Sequence, residues 1–160
     1  MRDDPKLVAI LERNELGKLE LSGRLPKPEW NGSYDPPTAD ITINAYRPQS
    51  SYGHEFIPGE LKTISAAGSS LVEAMQRSLY HEIGHHVLEV AEAGKAGTIV
   101  EVGKLLRSGR AMPLSTRAGR RAIEYFAETF SAYRFEDMLV YKDPEGYDMV
   151  EAILRMVRKK

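Results

Sequence analysis

His81, Glu82 and His85, within Leu79-Tyr80-His81-Glu82-Ile83-Gly84-His85-His86-Val87, carry the most specific chemistry in the chain. The order His-Glu-x-x-His is the helix-borne zinc pattern in which two imidazole ligands flank a carboxylate base. On a helix, residues i and i+4 lie one above the other on a single face. His81 and His85 can therefore share one ion, while Glu82 sits one position round, beside that ion. A zinc ion held by so few protein groups keeps room for a water and lowers its pKa toward neutrality. A third protein ligand is then required. Glu124 and Glu128 are the best candidates, again at i and i+4, in Glu124-Tyr125-Phe126-Ala127-Glu128-Thr129-Phe130. Two bare carboxylates among aromatic residues are costly to desolvate, and a metal or its histidine ligands would relieve that cost. One glutamate would bind the ion and the other would orient an imidazole through a hydrogen bond. Two surface histidines and a solvated glutamate pair would account for neither that apolar setting nor the small residues around the histidines.

The elements that must position these groups are legible from periodicity. Ser70-x-x-Glu73 reads as a capping box opening a central helix that runs to about Ala93 and stops at Gly94. Val72, Met75, Leu79, Ile83 and Val90 form one stripe. The histidines project from nearly the opposite side, beside Ala74, Ser78 and Leu88, as on a helix packed on both faces. His86 falls on the apolar side and reads as a packed core histidine; His54 reads as a surface loop residue. Ahead of this helix, Asp4-Pro5 opens a short helix with Leu7, Ile10 and Leu11 inward. Lys18 to Leu21 alternates weakly, and Ala39 to Tyr46 alternates cleanly, with Ile41, Ile43 and Ala45 inward. Residues 26 to 38, with four of the nine prolines and Trp30, read as an irregular loop, and Glu60 to Ser65 as a short edge strand. After the central helix, Thr98-x-x-Glu101 reads as a second capping box for a short amphipathic helix ending at Ser108-Gly109. A long helix is expected from about Gly119 to Leu139, and Asp143-Pro144 caps a last one with Tyr147, Val150, Leu154 and Val157 buried.

Length and composition fit this picture. A chain of 160 residues, 42% hydrophobic and 28% charged, is expected to form one domain, residues 1–160, with its own core. The net charge of −1 offers no global attraction to nucleic acid or anionic membrane, and no run of apolar residues is long enough to span a bilayer. With no cysteine, thiolate zinc sites and disulfides are excluded, so zinc must use histidine and carboxylate. No apolar stretch of signal-peptide type follows Met1, and a soluble, cytoplasmic protein is the expectation.

Both motifs together resemble the gluzincins, zinc peptidases with His-Glu-x-x-His on one helix and a glutamate ligand on a later one. The resemblance is nearest to the family of the anthrax toxin lethal factor catalytic domain. There, a helix similar to His-Glu-Phe-Gly-His precedes a short amphipathic helix, a loop, and a helix similar to Glu-Phe-Phe-Ala-Glu-Ala-Phe. The resemblance implies that Glu124 is the third ligand of one zinc ion and that Glu128 orients an imidazole. It implies Glu82 as general base, with a protein or peptide as substrate. It departs from the family at Arg117, seven residues before Glu124, where the family usually carries a tyrosine; an arginine there can stabilise a developing oxyanion by charge. The expected fold is α+β and zincin-like: a small mixed β-sheet packed on the central helix, with a helical C-terminal half. The expected function is zinc-dependent endopeptidase. Its alternatives are a non-catalytic zinc-binding structural or interaction module of phage or toxin type, a regulatory gluzincin that cuts repressors, and a metal-free helical binding protein. From Val102 to Ile123 there is no acidic residue but six basic ones, Lys104, Arg107, Arg110, Arg117, Arg120 and Arg121. They form a solvated basic face or a preference for acidic substrates.

Overall fold

A computed structural model describes residues 5–13, 16–22, 32–44 and 71–158. Trp30, His54, Ser70 and the expected strand at Glu60 to Ser65 lie outside the described residues. The described architecture is mixed α+β: a three-stranded mixed sheet and six α-helices with one 3-10 turn. No helix among the described residues is long and apolar enough to cross a membrane.

Strand β3 (Asp40–Asn44) is the middle of the sheet, in the order β1-β3-β2. Its β-branched residues suit a pleated, half-buried surface, and Ile41 and Ile43 are fully buried. Burying each contributes about 2–3 kcal/mol relative to exposure. Asn44, which alternates with Ile41 and Ile43 along the strand, is buried as well. Strand β1 (Leu19–Ser22) runs parallel to β3, with Leu19 opposite Ile41 and Leu21 opposite Ile43. Its two leucines remain 52% and 62% exposed, so the alternation there marks a strand but not a core face. Strand β2 (Gly32–Asp35) lies antiparallel on the other side of β3, in the stretch expected to be irregular. A tight loop joins β2 to β3: the Thr38 amide donates to the Asp35 carbonyl, and Ala39 takes a left-handed conformation at φ 54°.

Helix α2 (Leu71–Gly94) crosses this sheet and is the centre of the molecule. Ile83, Val87, Leu88 and Ala91 are buried along it, and it packs on β2 and β3 on one side and on two later helices on the other. Those are α4 (Ala122–Phe135) and α6 (Pro144–Arg158). Between them in sequence lie the short α5 (Leu139–Lys142), and before them α3 (Thr98–Arg107) and the 3-10 turn Ala118–Arg120. The first helix, α1 (Pro5–Arg13), buries Leu7 and Ile10 and touches α6.

Two local expectations are corrected. The helix expected from Gly119 to Leu139 is three pieces: Arg121 is extended (φ −138°, ψ 121°) between the 3-10 turn and α4, and Glu136 is extended after α4. Glu136 instead serves as an anchor, paired with Arg77 of α2 at 3.0 Å. The Thr98-x-x-Glu101 capping box does not form. Thr98 Oγ1 donates to the Lys95 carbonyl, Glu101 pairs with Lys104, and Gly97 is the N-cap at φ 92°. The free amides at the start of α3 are met by Glu92 of α2, which accepts from Gly97 N (2.8 Å) and Ile99 N (2.7 Å). Asp143 does cap α6, accepting from Gly146 N at 3.0 Å. It is fully buried, and also accepts from Tyr125 Oη and Met112 N.

Candidate metal centre

Helices α2 and α4 approach unusually closely where α2 carries Gly84. A Cβ at Gly84 would stand 2.9 Å from Ala127 Cα and 3.3 Å from Ala127 O. The glycine between the two histidines thus lets the second helix in, and with it Glu124, one turn before Ala127. The result is a group of three: one ligand atom each from His81, His85 and Glu124, all within 4.8 Å of one another, which could hold a metal ion.

Glu124 Oε2 lies 3.4 Å from His81 Nε2 and 3.9 Å from His85 Nε2. Both separations exceed ordinary hydrogen-bond length, and this buried oxygen has no short hydrogen-bond partner among the described residues. Buried carboxylate oxygens are rarely left so, because the desolvation cost goes uncompensated. An oxygen and two imidazole nitrogens converge here at 3.4 and 3.9 Å, held by charge and at most a long His81–Glu124 contact, an arrangement that a cation could complete. The donor set, two nitrogens and one oxygen with no thiolate, suits zinc with a position left open. The imidazole rings stand edge to face, 4.9 Å apart at 87°, so their Nε2 lone pairs approach from different directions.

The other oxygen, Oε1, is held from outside. Arg117 Nη2 donates to it at 2.6 Å, and Arg121 Nη1 lies 3.7 Å away. Arg117, expected to face a developing oxyanion, therefore grips the carboxylate of the ligand glutamate. Glu128 does not hydrogen-bond an imidazole. Its Oε1 accepts from Ser115 Oγ at 2.7 Å, and Ser115 Oγ in turn accepts from the Ala118 amide. Glu128 thereby pins the segment that carries Arg117, while its charge acts on His81 through space. Glu82 points toward the sheet: a Cβ at Gly32 of β2 would stand 2.9 Å from Glu82 Oε1, so a larger residue there would shift that carboxylate.

Burial and charge set the protonation states. Burial and the neighbouring His81 push His85 down to about 3, leaving it neutral and able to ligate. Burial would raise Glu124, but His81, His85 and Arg117 outweigh it and hold the group down at about 2, ionised. For His81, burial opposes the charged form, yet the Glu124, Glu82 and Glu128 carboxylates prevail and raise it. Of the three candidate ligands, it is the one whose proton a bound cation would displace. Burial raises Glu82, with Glu124 adding to it and His81 and Arg117 opposing. Burial likewise raises Glu128 against the Ser115 hydrogen bond.

Tyr34 of β2 was not singled out in the sequence. Its ring stacks over His85 (6.3 Å, 18°), and its hydroxyl donates to Glu89 Oε2 at 2.8 Å and lies 3.1 Å from His86 Nδ1. Burial and Glu89 raise its pKa, so it stays a phenol. Tyr34 lies in a polar, proline-flanked stretch, and its one sequence signal is its place two residues after Gly32. His86 is the buried histidine expected on the apolar side. Tyr125 and Tyr133 serve the core, bonding Asp143 and Glu151. Comparison with protein-family models, curated proteins and solved structures finds no match to this chain.

Proposed function

We propose that this protein is a zinc-dependent peptidase with a zincin-like fold, in which His81, His85 and Glu124 hold one zinc ion. The observation that carries the reading is the buried Oε2 of Glu124, which has no short hydrogen bond among the described residues and faces two imidazole nitrogens at 3.4 and 3.9 Å. When bound, zinc supplies a water acidified toward neutral pKa and a means of polarising a carbonyl. Glu82, one residue along from a ligand and fixed beneath Gly32, takes the proton of the attacking water on a carboxylate oxygen and returns it to the leaving amine. Arg117 and Ser115–Glu128 keep Glu124 and its loop in place.

Glu82→Gln tests this. The variant is expected to retain one equivalent of zinc and to lose hydrolysis of a peptide that the wild type cuts, by about 100-fold or more. Zinc retention with unchanged hydrolysis would refute the role of Glu82. One observation favours a second reading, a non-catalytic zinc-binding module: Arg117, in the place of the expected oxyanion partner, hydrogen-bonds the carboxylate of Glu124 as a supporting side chain would. For that reading, the wild type binds zinc and hydrolyses none of a broad peptide mixture. A repressor-cleaving enzyme differs from the first reading only in its substrate.

A further inference from the structure

The basic run between Val102 and Ile123 does not act as one surface. Lys104 is paired with Glu101 at 2.7 Å and Arg110 with Glu145 at 3.0 Å, while the Arg107 guanidinium lies over Gly103. Arg117 and Arg121 instead converge on Glu124 Oε1, at 2.6 and 3.7 Å. The 3-10 turn between them and the extended Arg121 bring both to one oxygen. Their side chains are 57% and 60% exposed, whereas that of Glu124 is 3% exposed. Two guanidiniums therefore share one buried carboxylate oxygen and present most of their surface to solvent. One hydrogen bond suffices to position Glu124. Arg121 lies beyond hydrogen-bond reach and adds only charge. Each guanidinium offers five donors in a fixed fork matched to carboxylates, and among the described residues only Glu124 engages them.

Building on the peptidase reading, we propose that Arg117 and Arg121 form a carboxylate-recognition element at the rim of the site, and that the substrate is an acidic peptide. Because Arg117 hydrogen-bonds the proposed ligand glutamate and Arg121 stands 3.7 Å from it, the recognised carboxylate belongs to a residue close to the bond that is cut. It is supplied by an Asp or Glu side chain or by a free C-terminus, two sources of the same chemistry. Charge-assisted bonds to such a group correspond to about ten-fold or more in affinity over a neutral amide, and the preference weakens as salt rises.

The test uses zinc-loaded Glu82→Gln protein, which leaves bound peptides intact, and hexapeptide pools with one position fixed as Glu or Gln and the C-terminus free or amidated. Retained peptides are counted by mass spectrometry. The expected result is about ten-fold enrichment of Glu over Gln at one position, or of free over amidated termini, which names the source. Adding Arg121→Gln, a surface change that leaves the Arg117–Glu124 bond in place, is expected to collapse the enrichment with zinc content unchanged. Equal retention of acid and amide, retention of neither, or enrichment that survives Arg121→Gln would overturn the proposal. Enriched peptides are then given to wild-type protein. If none is cut, the peptidase reading fails while the carboxylate site stands.

Discussion

Gly84→Ala puts a single methyl group at the closest contact between the two helices that carry the site. The new Cβ would lie 2.9 Å from Ala127 Cα, 3.3 Å from Ala127 O and 3.3 Å from Phe130 Cβ. Non-bonded carbons settle about 3.5–4.0 Å apart, and a backbone Cα cannot rotate away, so the helices must part locally by about 0.6 Å or more. Overpacking of this kind costs about 1–3 kcal/mol. Replacing a mid-helix glycine by alanine returns about 1 kcal/mol of helix propensity, so the fold loses about 0–2 kcal/mol. The metal site is less forgiving, since ligand distances must hold to about 0.2 Å. Glu124 sits one turn from Ala127 and moves with it. Zinc affinity is therefore expected to fall by about 10- to 100-fold, the range seen when groups supporting metal ligands are disturbed. Urea unfolding of the metal-free protein and competition titration with a fluorescent zinc chelator read the two effects separately. A variant about 1 kcal/mol more stable, as at an open helix position, with unchanged zinc affinity would refute the reasoning.

Further outcomes follow from other contacts. Gly32→Ala places a Cβ 2.9 Å from Glu82 Oε1 and 3.0 Å from Ile43 Cδ1; it is expected to lower peptide hydrolysis at least about ten-fold with zinc content unchanged, since Glu82 is no ligand. Tyr34→Phe removes the hydroxyl that serves Glu89 and His86 but keeps the ring over His85; a stability loss of about 1–2 kcal/mol in urea with wild-type zinc affinity is expected. Glu92 is held below its ordinary value of 4.5 by the amides of Ile99 and Gly97. Its contribution is complete above 4.5 and is lost as pH falls through the lower folded value. Glu92→Gln should therefore be less stable at neutral pH and lose less stability on acidification, which denaturation curves across that range would show.

Where spacing alone determines structure, the sequence was sufficient. The 3.6-residue period of α2 and the alternation of Ile41 and Ile43 both correspond to real elements, and the three groups at His81, His85 and Glu124 do meet. What was not legible depends on partners distant in the chain. Strand β2 has one apolar residue in four, and it is a strand because β3 supplies its hydrogen bonds. The start of α3 is capped by Glu92, a residue of another helix, so a local capping motif misled. Helix α4 is bounded by no proline or adjacent glycine; its C-terminal limit falls where Glu136 is drawn to Arg77 and Lys142. Arg117 occupied the place where the resemblance led one to expect a tyrosine, and only the three-dimensional arrangement puts its guanidinium on Glu124.

The central claim is that three side chains from two helices converge to hold one zinc ion. The most direct measurement is equilibrium titration of metal-free protein with zinc, read by competition with a chelator and by elemental analysis after dialysis. One tightly bound equivalent is predicted, reduced to none or to loosely held metal in Glu124→Ala. A wild-type protein that takes up no zinc, or a Glu124→Ala variant that binds it as tightly, would contradict the assignment.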